Sequence, residues 1–205
     1  MSRWADPLTI THLLYLHGFR SSPQSTKARC VAAWVSAHRP DLVWWCPQLP
    51  PSPREAMALI VAQLDTWPAQ QMAVIGSSLG GFYACAVAER FGCRAVLLNP
   101  AVDPAQDLSR HIGEIQAWHS DERFYFRAEF IDELKALKPV ALTHPERYFA
   151  VIAKGDEVLA WRTMTALCDG SKIKLLEGGD HALSDFDAHL PDVIRFLALA
   201  PDVTT

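Results

Sequence analysis

The stretch VIGSSLGG, residues 74–81, places two adjacent serines among glycines directly after an apolar run. A Walker-type phosphate loop needs a Lys and a Ser or Thr after its last glycine, and a dinucleotide fingerprint needs G-x-G-x-x-G. The stretch has neither pattern, but it contains G-x-S-x-G at residues 76–80, between a predicted strand and a predicted helix. This context is typical of a nucleophile elbow, so the stretch predicts a nucleophilic serine on a strand-to-helix corner.

The glycine spacing selects one of the two serines. A nucleophile on a sharp strand-to-helix corner is strained and needs very small side chains two residues before it and two residues after it. Ser78 has Gly76 and Gly80 at those positions, whereas Ser77 has bulky apolar neighbours there. We therefore predict that Ser78 is the nucleophile and that Ser77 is a spacer.

Short apolar runs alternate with longer amphipathic stretches along the chain, and the runs are apolar on both faces, as in the buried strands of a parallel sheet. We predict strands at Leu13–Leu16, Leu42–Trp45, Met72–Ile75, Ala95–Leu98, Tyr148–Ala153 and Ile173–Leu176. We predict helices at Gln24–His38, Pro53–Trp67, Leu79–Phe91, Val158–Cys168 and Ser184–Leu199. This alternation predicts a three-layer α/β fold with a doubly wound, mostly parallel sheet of about six strands. The length of 205 residues predicts one domain over residues 1–205.

One segment, residues 102–138, breaks the alternation because it is longer than a single crossover helix requires. It is rich in aromatic residues, among them Trp118, Phe124 and Phe126. One interpretation is a small lid-like excursion over the carboxyl edge of the sheet, where open α/β folds bind ligands, with these aromatics walling a substrate pocket. The other is an extra helix and loop packed on the body of the protein.

Composition argues against several classes of function. The net charge is −4, the isoelectric point is about 6.0 and the 19 Lys and Arg residues are scattered, so we expect no nucleic-acid partner. No run approaches the about 18 apolar residues of a membrane span, and Leu8–Leu16 is interrupted by His12, so it is interpreted as a strand and not as a signal peptide. We expect a cytoplasmic protein, a monomer or small homo-oligomer. The five cysteines show no C-x-x-C, which argues against a disulfide framework and a zinc site.

A serine hydroxyl is a weak nucleophile and needs a base, for which histidine, with an ordinary pKa of about 6.5, is suited. In this type of fold the order along the chain is serine, acid, histidine. His181 lies in EGGDH, residues 177–181, a loop directly after a predicted strand, where two glycines let the chain turn back over the sheet edge. His189 falls inside the last predicted helix and is interpreted as a surface residue. We predict His181 as the base.

The acid must follow a late strand and reach the imidazole. Asp156 follows the fifth predicted strand, one strand before His181, and is our first choice. Asp103, just after the fourth strand, remains the rival. Glu157 is interpreted as a solvated charge at the start of a helix.

An oxyanion hole needs two backbone donors. The helix that begins at Leu79 supplies one N–H and its positive dipole end. The loop after the first strand supplies the second, with Phe19 N–H as the predicted donor and Gly18 allowing close approach and lining the substrate pocket. His17 is expected to hydrogen-bond this loop in place.

With these residues assembled, the sequence resembles an α/β hydrolase, and more narrowly the small bacterial YqiA-type esterases. The resemblance rests on LLYLHGFRSSPQSTKA, CPQLPPSP, GSSLGGFYA, NPAV, KGDEVL and EGGDHAL, which occur in this order over nearly the whole chain. One departure is Asp180, beside His181, which is expected to compete for the imidazole N–H.

The resemblance implies Ser78, Asp156 and His181 as a catalytic triad. It also implies a serine esterase acting on small-molecule carboxylic esters, or on acyl thioesters, of short to medium acyl chains, with no metal or organic cofactor. An acyl-CoA thioesterase or a C–C bond hydrolase would use the same triad, and a non-catalytic interaction module is the alternative from another class.

Overall fold

A computed structural model describes residues 9–116, 123–139 and 141–199. Its strands are β1 (His12–Leu16), β2 (Val43–Trp45), β3 (Met72–Ser77), β4 (Arg94–Leu98), β5 (Gly113–Gln116), β6 (Arg123–Phe126), β7 (Tyr148–Ala153) and β8 (Lys172–Leu176). Six of them form one sheet in the order β2-β1-β3-β4-β7-β8, and every neighbouring pair in it is parallel. The six strands of this sheet are those predicted from the apolar runs.

Helices cover both faces of the sheet. They are α1 (Thr26–His38), α2 (Pro53–Leu64), α3 (Leu79–Phe91), α4 (Pro104–Leu108), α5 (Glu129–Leu137), α6 (Trp161–Leu167) and α7 (Phe186–Phe196), with short 3-10 turns at Ala69–Gln71, Ser109–His111 and Pro145–Arg147. The buried side chains of α1 and α7 pack on one face, and those of α2 to α6 pack on the other. The predicted three-layer, doubly wound architecture is confirmed.

The central strands are buried on both faces because successive side chains point to opposite sides. In β1, Leu14 and Leu16 join the core beneath α3, whereas Leu13 and Tyr15 join the core beneath α1 and α7. The register pairs β1 with β3 from His12–Met72 to Leu16–Gly76, which brings the ends of the two strands side by side. The loops that follow these strands therefore meet at one edge.

The helix after β7 begins later than predicted. We predicted a helix from Val158, but α6 begins at Trp161. The carboxylate of Asp156 accepts hydrogen bonds from the N–H groups of Val158 and Leu159, both at 2.8 Å, and so holds these residues in a turn. A side chain in the loop thus competes with the helix for its first residues.

The segment between β4 and β7 contains α4, an antiparallel pair formed by β5 and β6, and α5. The antiparallel pair was not predicted. Phe126, Phe130 and Leu134 are buried in the core beneath α3, so the described part of this segment packs on the body of the protein. The start of the same segment also lines the cavity beside Ser78, through Pro104, Leu108 and His111, so the lid-like excursion stays a prediction.

Candidate active site

Ser78 occupies the corner between β3 and α3. Its backbone has a φ of 55° and a ψ of −120°, a strained conformation for a residue with a side chain. A Cβ added to Gly76 would lie 2.2 Å from the carbonyl oxygen of Gly80, and one added to Gly80 would lie 1.9 Å from that of Leu16. Only glycine fits at both positions, for the steric reason used to choose Ser78 over Ser77.

The side chains of Ser78, His181 and Asp156 form one hydrogen-bonded line. His181 Nε2 lies 3.0 Å from Ser78 Oγ, and His181 Nδ1 lies 2.7 Å from Asp156 Oδ2. A carboxylate only accepts hydrogen bonds, so Nδ1 carries the proton and Nε2 is left to accept from the serine hydroxyl. This is the tautomer in which histidine takes a proton from serine.

Asp156 is held firmly behind His181. Its side chain has no exposed surface, compared with 21% for His181. Oδ1 accepts the two N–H bonds from the following turn, at Val158 and Leu159, so Oδ2 is oriented towards the imidazole. The loop after β7 therefore fixes both the position and the direction of the carboxylate.

Three side chains fix the loop that carries His181. Buried Asn99 donates to the carbonyls of Asp180 and His181 at 3.0 and 3.2 Å, and its own oxygen accepts from Ala153 N at 2.8 Å. Lys27 donates to the carbonyl of Ala182. Neither Asn99 nor Lys27 was predicted from the sequence to have a role, although NPAV follows β4 directly, where a loop residue can reach the site.

Glu157 makes the third contact, because its carboxylate accepts from the backbone N–H of His181 at 3.0 Å. Glu157 is exposed, as predicted for a solvated charge, but the prediction that it lies at a helix start is wrong. It precedes the helix, and it anchors the histidine loop.

The rival residues are engaged elsewhere. Asp103 caps α4 by accepting from Gln106 N at 3.3 Å and pairs with Lys138 at 2.5 Å, and this lysine lowers its pKa. Asp180 accepts from Ser184 N and from its hydroxyl, at 2.9 and 2.6 Å, which lowers the pKa of its carboxyl. These bonds direct Asp180 towards Ser184.

His189, the other histidine considered as the base, lies in α7 and is 8% exposed. The interpretation of His189 as a surface residue is wrong, since α7 turns this position towards the core side of the helix. Its Nε2 lies 3.3 Å from Asp185 Oδ2, one helical turn away.

The loop after β1 approaches Ser78 from the other side. A Cβ on Gly18 would lie 3.2 Å from Ser78 Cβ, so the backbone passes close to the serine. His17 Nδ1 donates to Gly18 O at 3.0 Å and Nε2 accepts from Leu49 N at 3.1 Å, the holding role predicted for it. Leu79 is the first residue of α3, where an N–H has no partner within the helix. The role of Phe19 N–H stays a prediction.

A cavity of about 670 Å³ opens beside Ser78 and His181, and Gly18 lines it as predicted. Phe124 and Phe126 do not face it. Phe126 is 1% exposed, and both rings contact Phe19, so they support one wall from behind. The pocket prediction is corrected for these two residues. Trp118, the remaining predicted pocket residue, lies outside the described residues.

Two negative findings concern residues 9–116, 123–139 and 141–199. No group of three or more His, Cys, Asp or Glu side chains there is arranged to hold a metal ion. None of the helices in those ranges has the length and apolar character needed to cross a membrane.

The chain is similar to a known protein family and to several solved structures. The model of a family described as uncharacterised, UPF0227, matches residues 12–198. Among solved structures, the chain is similar to a protein from Agrobacterium vitis S4, with a TM-score of 0.72 and 16% identity over 92% of this chain and 90% of that one. It is similar to alpha/beta hydrolase domain-containing protein 10 from mouse, with a TM-score of 0.68 and 16% identity over 91% and 90% of the two chains.

A third similar structure is Est1E from Butyrivibrio proteoclasticus, with a TM-score of 0.67 and 14% identity over 95% of this chain and 89% of that one. Est1E has also been solved with ferulic acid bound. At these identities the likeness establishes the fold, which is that of the α/β hydrolases.

Proposed function

This chain belongs to the UPF0227 family, and we propose that it is a serine esterase that hydrolyses carboxylic esters through Ser78, His181 and Asp156. The observation that carries the proposal is the hydrogen-bonded line of 3.0 and 2.7 Å that joins these side chains beside the cavity. Likeness to Est1E and to other proteins described as esterases supports it.

In the proposed reaction, Ser78 Oγ attacks the ester carbonyl carbon while His181 Nε2 takes the hydroxyl proton. The carbonyl oxygen becomes negative in the tetrahedral intermediate. Leu79 N–H and the positive end of α3 stabilise that charge, with Phe19 N–H as the second proposed donor. Asp156 holds the imidazole and stabilises its protonated form.

The intermediate collapses when His181 returns the proton to the leaving alkoxide, which departs as an alcohol and leaves an acyl group on Ser78. A water molecule then gives a proton to His181 and attacks the acyl carbonyl. The second intermediate releases a carboxylic acid and restores the serine hydroxyl. Apart from water, each step uses side chains and backbone amides already described.

A fluorophosphonate probe tests the serine assignment. Such a probe forms a covalent bond only with an activated serine, so wild-type protein and the Ser77→Ala variant are expected to label, whereas Ser78→Ala is expected not to label. Mass spectrometry of the labelled peptide locates the adduct. Labelling of Ser78→Ala at the wild-type level would refute the assignment.

A substrate panel tests the reaction class. We expect p-nitrophenyl acetate and butyrate to be hydrolysed with a higher kcat/KM than p-nitrophenyl palmitate, because a cavity of about 670 Å³ suits small ligands. Acyl-CoA substrates run in parallel separate ester from thioester preference. Absence of turnover on every ester would refute the esterase proposal even if Ser78 is labelled.

A further inference from the structure

One end of the cavity contains a buried polar group with no partner. Tyr15, in β1, contributes to the cavity wall and has no exposed surface. Its hydroxyl makes no hydrogen bond with any described residue. Burial raises the pKa of this hydroxyl, and the nearby hydroxyls of Ser77 and Ser25 offset part of that rise. Burying a hydroxyl without a hydrogen bond costs free energy, so this position favours a ligand that accepts one.

Lys27 and Ser25 line the same cavity from the start of α1. The Lys27 ammonium has three N–H donors, and the carbonyl of Ala182 accepts one of them. The Ser25 hydroxyl does not cap α1, so the first N–H groups of that helix of 13 residues are left uncapped. The Lys27 ammonium and the Ser25 hydroxyl thus supply hydrogen-bond donors to the part of the cavity wall beside the start of α1.

The carboxylates near Lys27 are used by other groups. Asp180 accepts two hydrogen bonds from Ser184, and Asp156 is bonded to His181 and to the turn behind it. Neither carboxylate makes an ion pair with Lys27. Burial lowers the pKa of Lys27 to about 8, and the two carboxylates offset part of that lowering. Glu157, also in the cavity wall, accepts from His181 N. No carboxylate of the described residues forms an ion pair with the partly buried Lys27 ammonium, which is costly, and an anionic ligand would offset that cost.

We propose that Lys27, Tyr15 and Ser25 form a subsite for a carboxylate of the substrate, so that the enzyme prefers esters that carry a carboxylate over neutral esters of equal length. This inference rests on the proposed esterase function and adds a substrate class to it. The carboxylate belongs either to the acyl part or to the alcohol part of the ester. The two alternatives share one chemistry and are separated by the choice of substrate.

Matched ester pairs test the preference. Monomethyl adipate against methyl hexanoate places the charge on the acyl part, and 6-acetoxyhexanoate against hexyl acetate places it on the alcohol part. In one pair, kcat/KM for the anionic ester is expected to be about tenfold higher, since a charge-assisted hydrogen bond is worth about that factor. Shorter and longer members of both series vary the distance between the carboxylate and the carbonyl carbon that Ser78 attacks. A ratio of one or less at every length overturns the inference.

Variants assign the preference to the subsite. Lys27→Met also removes the bond to Ala182, which can lower activity on every ester. The measured quantity is therefore the ratio of kcat/KM for the anionic ester to that for the neutral ester, because a loss that affects both esters equally leaves this ratio unchanged. The ratio is expected to fall to about one in Lys27→Met, to fall less in Tyr15→Phe and to stay high in Lys27→Arg. The control is Lys135→Met, because Lys135 lies on the exposed side of α5 and pairs with Asp132. An unchanged ratio in Lys27→Met overturns the inference.

Binding of the adipate dianion separates this inference from the proposed function, because it needs no turnover. We expect adipate to raise the Tm of wild-type protein and not that of Lys27→Met. If no ester is hydrolysed but adipate stabilises only protein with Lys27, the esterase proposal fails and the subsite stands. If esters are hydrolysed but adipate has no effect and no ester pair shows a preference, the esterase proposal stands and the subsite inference fails.

Discussion

Asp156 and Asp103 show how the surroundings of a residue decide its role. Both follow a strand of the sheet, but the Asp156 side chain is fully buried and that of Asp103 is exposed, and their hydrogen bonds differ. The Asp156 carboxylate accepts hydrogen bonds from the turn behind it and from the imidazole of His181. The Asp103 carboxylate accepts them from the start of α4 and from the ammonium of Lys138. The first arrangement orients a base, and the second stabilises a helix and an exposed ion pair.

We therefore expect Asp156→Asn to lower kcat by about 10⁴-fold, because an amide at this position favours the wrong imidazole tautomer. Asp103→Asn is the matched control, since asparagine caps helices as well as aspartate does and kcat should change less than about twofold. Both values come from steady-state kinetics on p-nitrophenyl acetate. A larger loss in the Asp103 variant would contradict the assignment of the acid.

Asn99 could not be assigned from sequence. It directly follows β4 and precedes Pro100, but its three bonds reach Ala153, Asp180 and His181, which lie more than 50 residues away along the chain. Its φ of 42° is unusual for a residue with a side chain, and asparagine is among the few that adopt it readily. Contacts of this kind exist only after the strands have been placed side by side.

At the level of elements, α3 is the helix whose position depends most on small residues. Gly80 lies against the carbonyl of Leu16 in β1, and Gly81 lies against Pro100, where an added Cβ would approach to 2.8 Å. These contacts let the start of α3 sit deep between two strand ends. Ser78 and the N–H of Leu79 are placed by that approach.

Gly80→Ala should therefore displace α3 or unfold the protein. A Cβ at 1.9 Å from a carbonyl oxygen cannot be accommodated by a side-chain rotation, so we expect the free energy of unfolding to fall by about 3 kcal/mol and Tm by about 6–12 °C. Gly178→Ala is the control, because nothing lies within 4 Å of its added Cβ. Thermal unfolding followed by circular dichroism measures both. Equal Tm values in the two variants would show that α3 tolerates the change.

At the level of the whole molecule, the cavity is assembled from loops and helix starts that are distant in sequence. Gly18, Lys27, Ser78, Leu108 and His181 all line it. They meet because the parallel strands of the large sheet end at the same edge, the position at which open α/β folds bind ligands. Lys27 therefore contributes its charge to a cavity that several distant segments build together.

The pH dependence of activity should report that charge. The pKa of Lys27 is lowered by burial to about 8, so the ammonium is present below that pH and is lost above it. We expect kcat/KM for the preferred anionic ester to fall as pH rises through about 8, while kcat/KM for the matched neutral ester does not fall in that range. Asp180→Asn should move the fall to lower pH, because Asp180 raises the Lys27 pKa. Parallel profiles for the two esters would contradict this role of Lys27.

The sequence by itself determined the sheet, the corner and the order of the site residues. Apolar runs that are buried on both faces predict six parallel strands, and glycines spaced around Ser78 predict which serine lies at the corner, because strand burial and a crowded turn are short-range steric requirements. The tertiary structure decided which aspartate faces His181, what holds the histidine loop and where Lys27 lies. Those outcomes depend on contacts between segments far apart in sequence, and they follow from the order in which the strands pack.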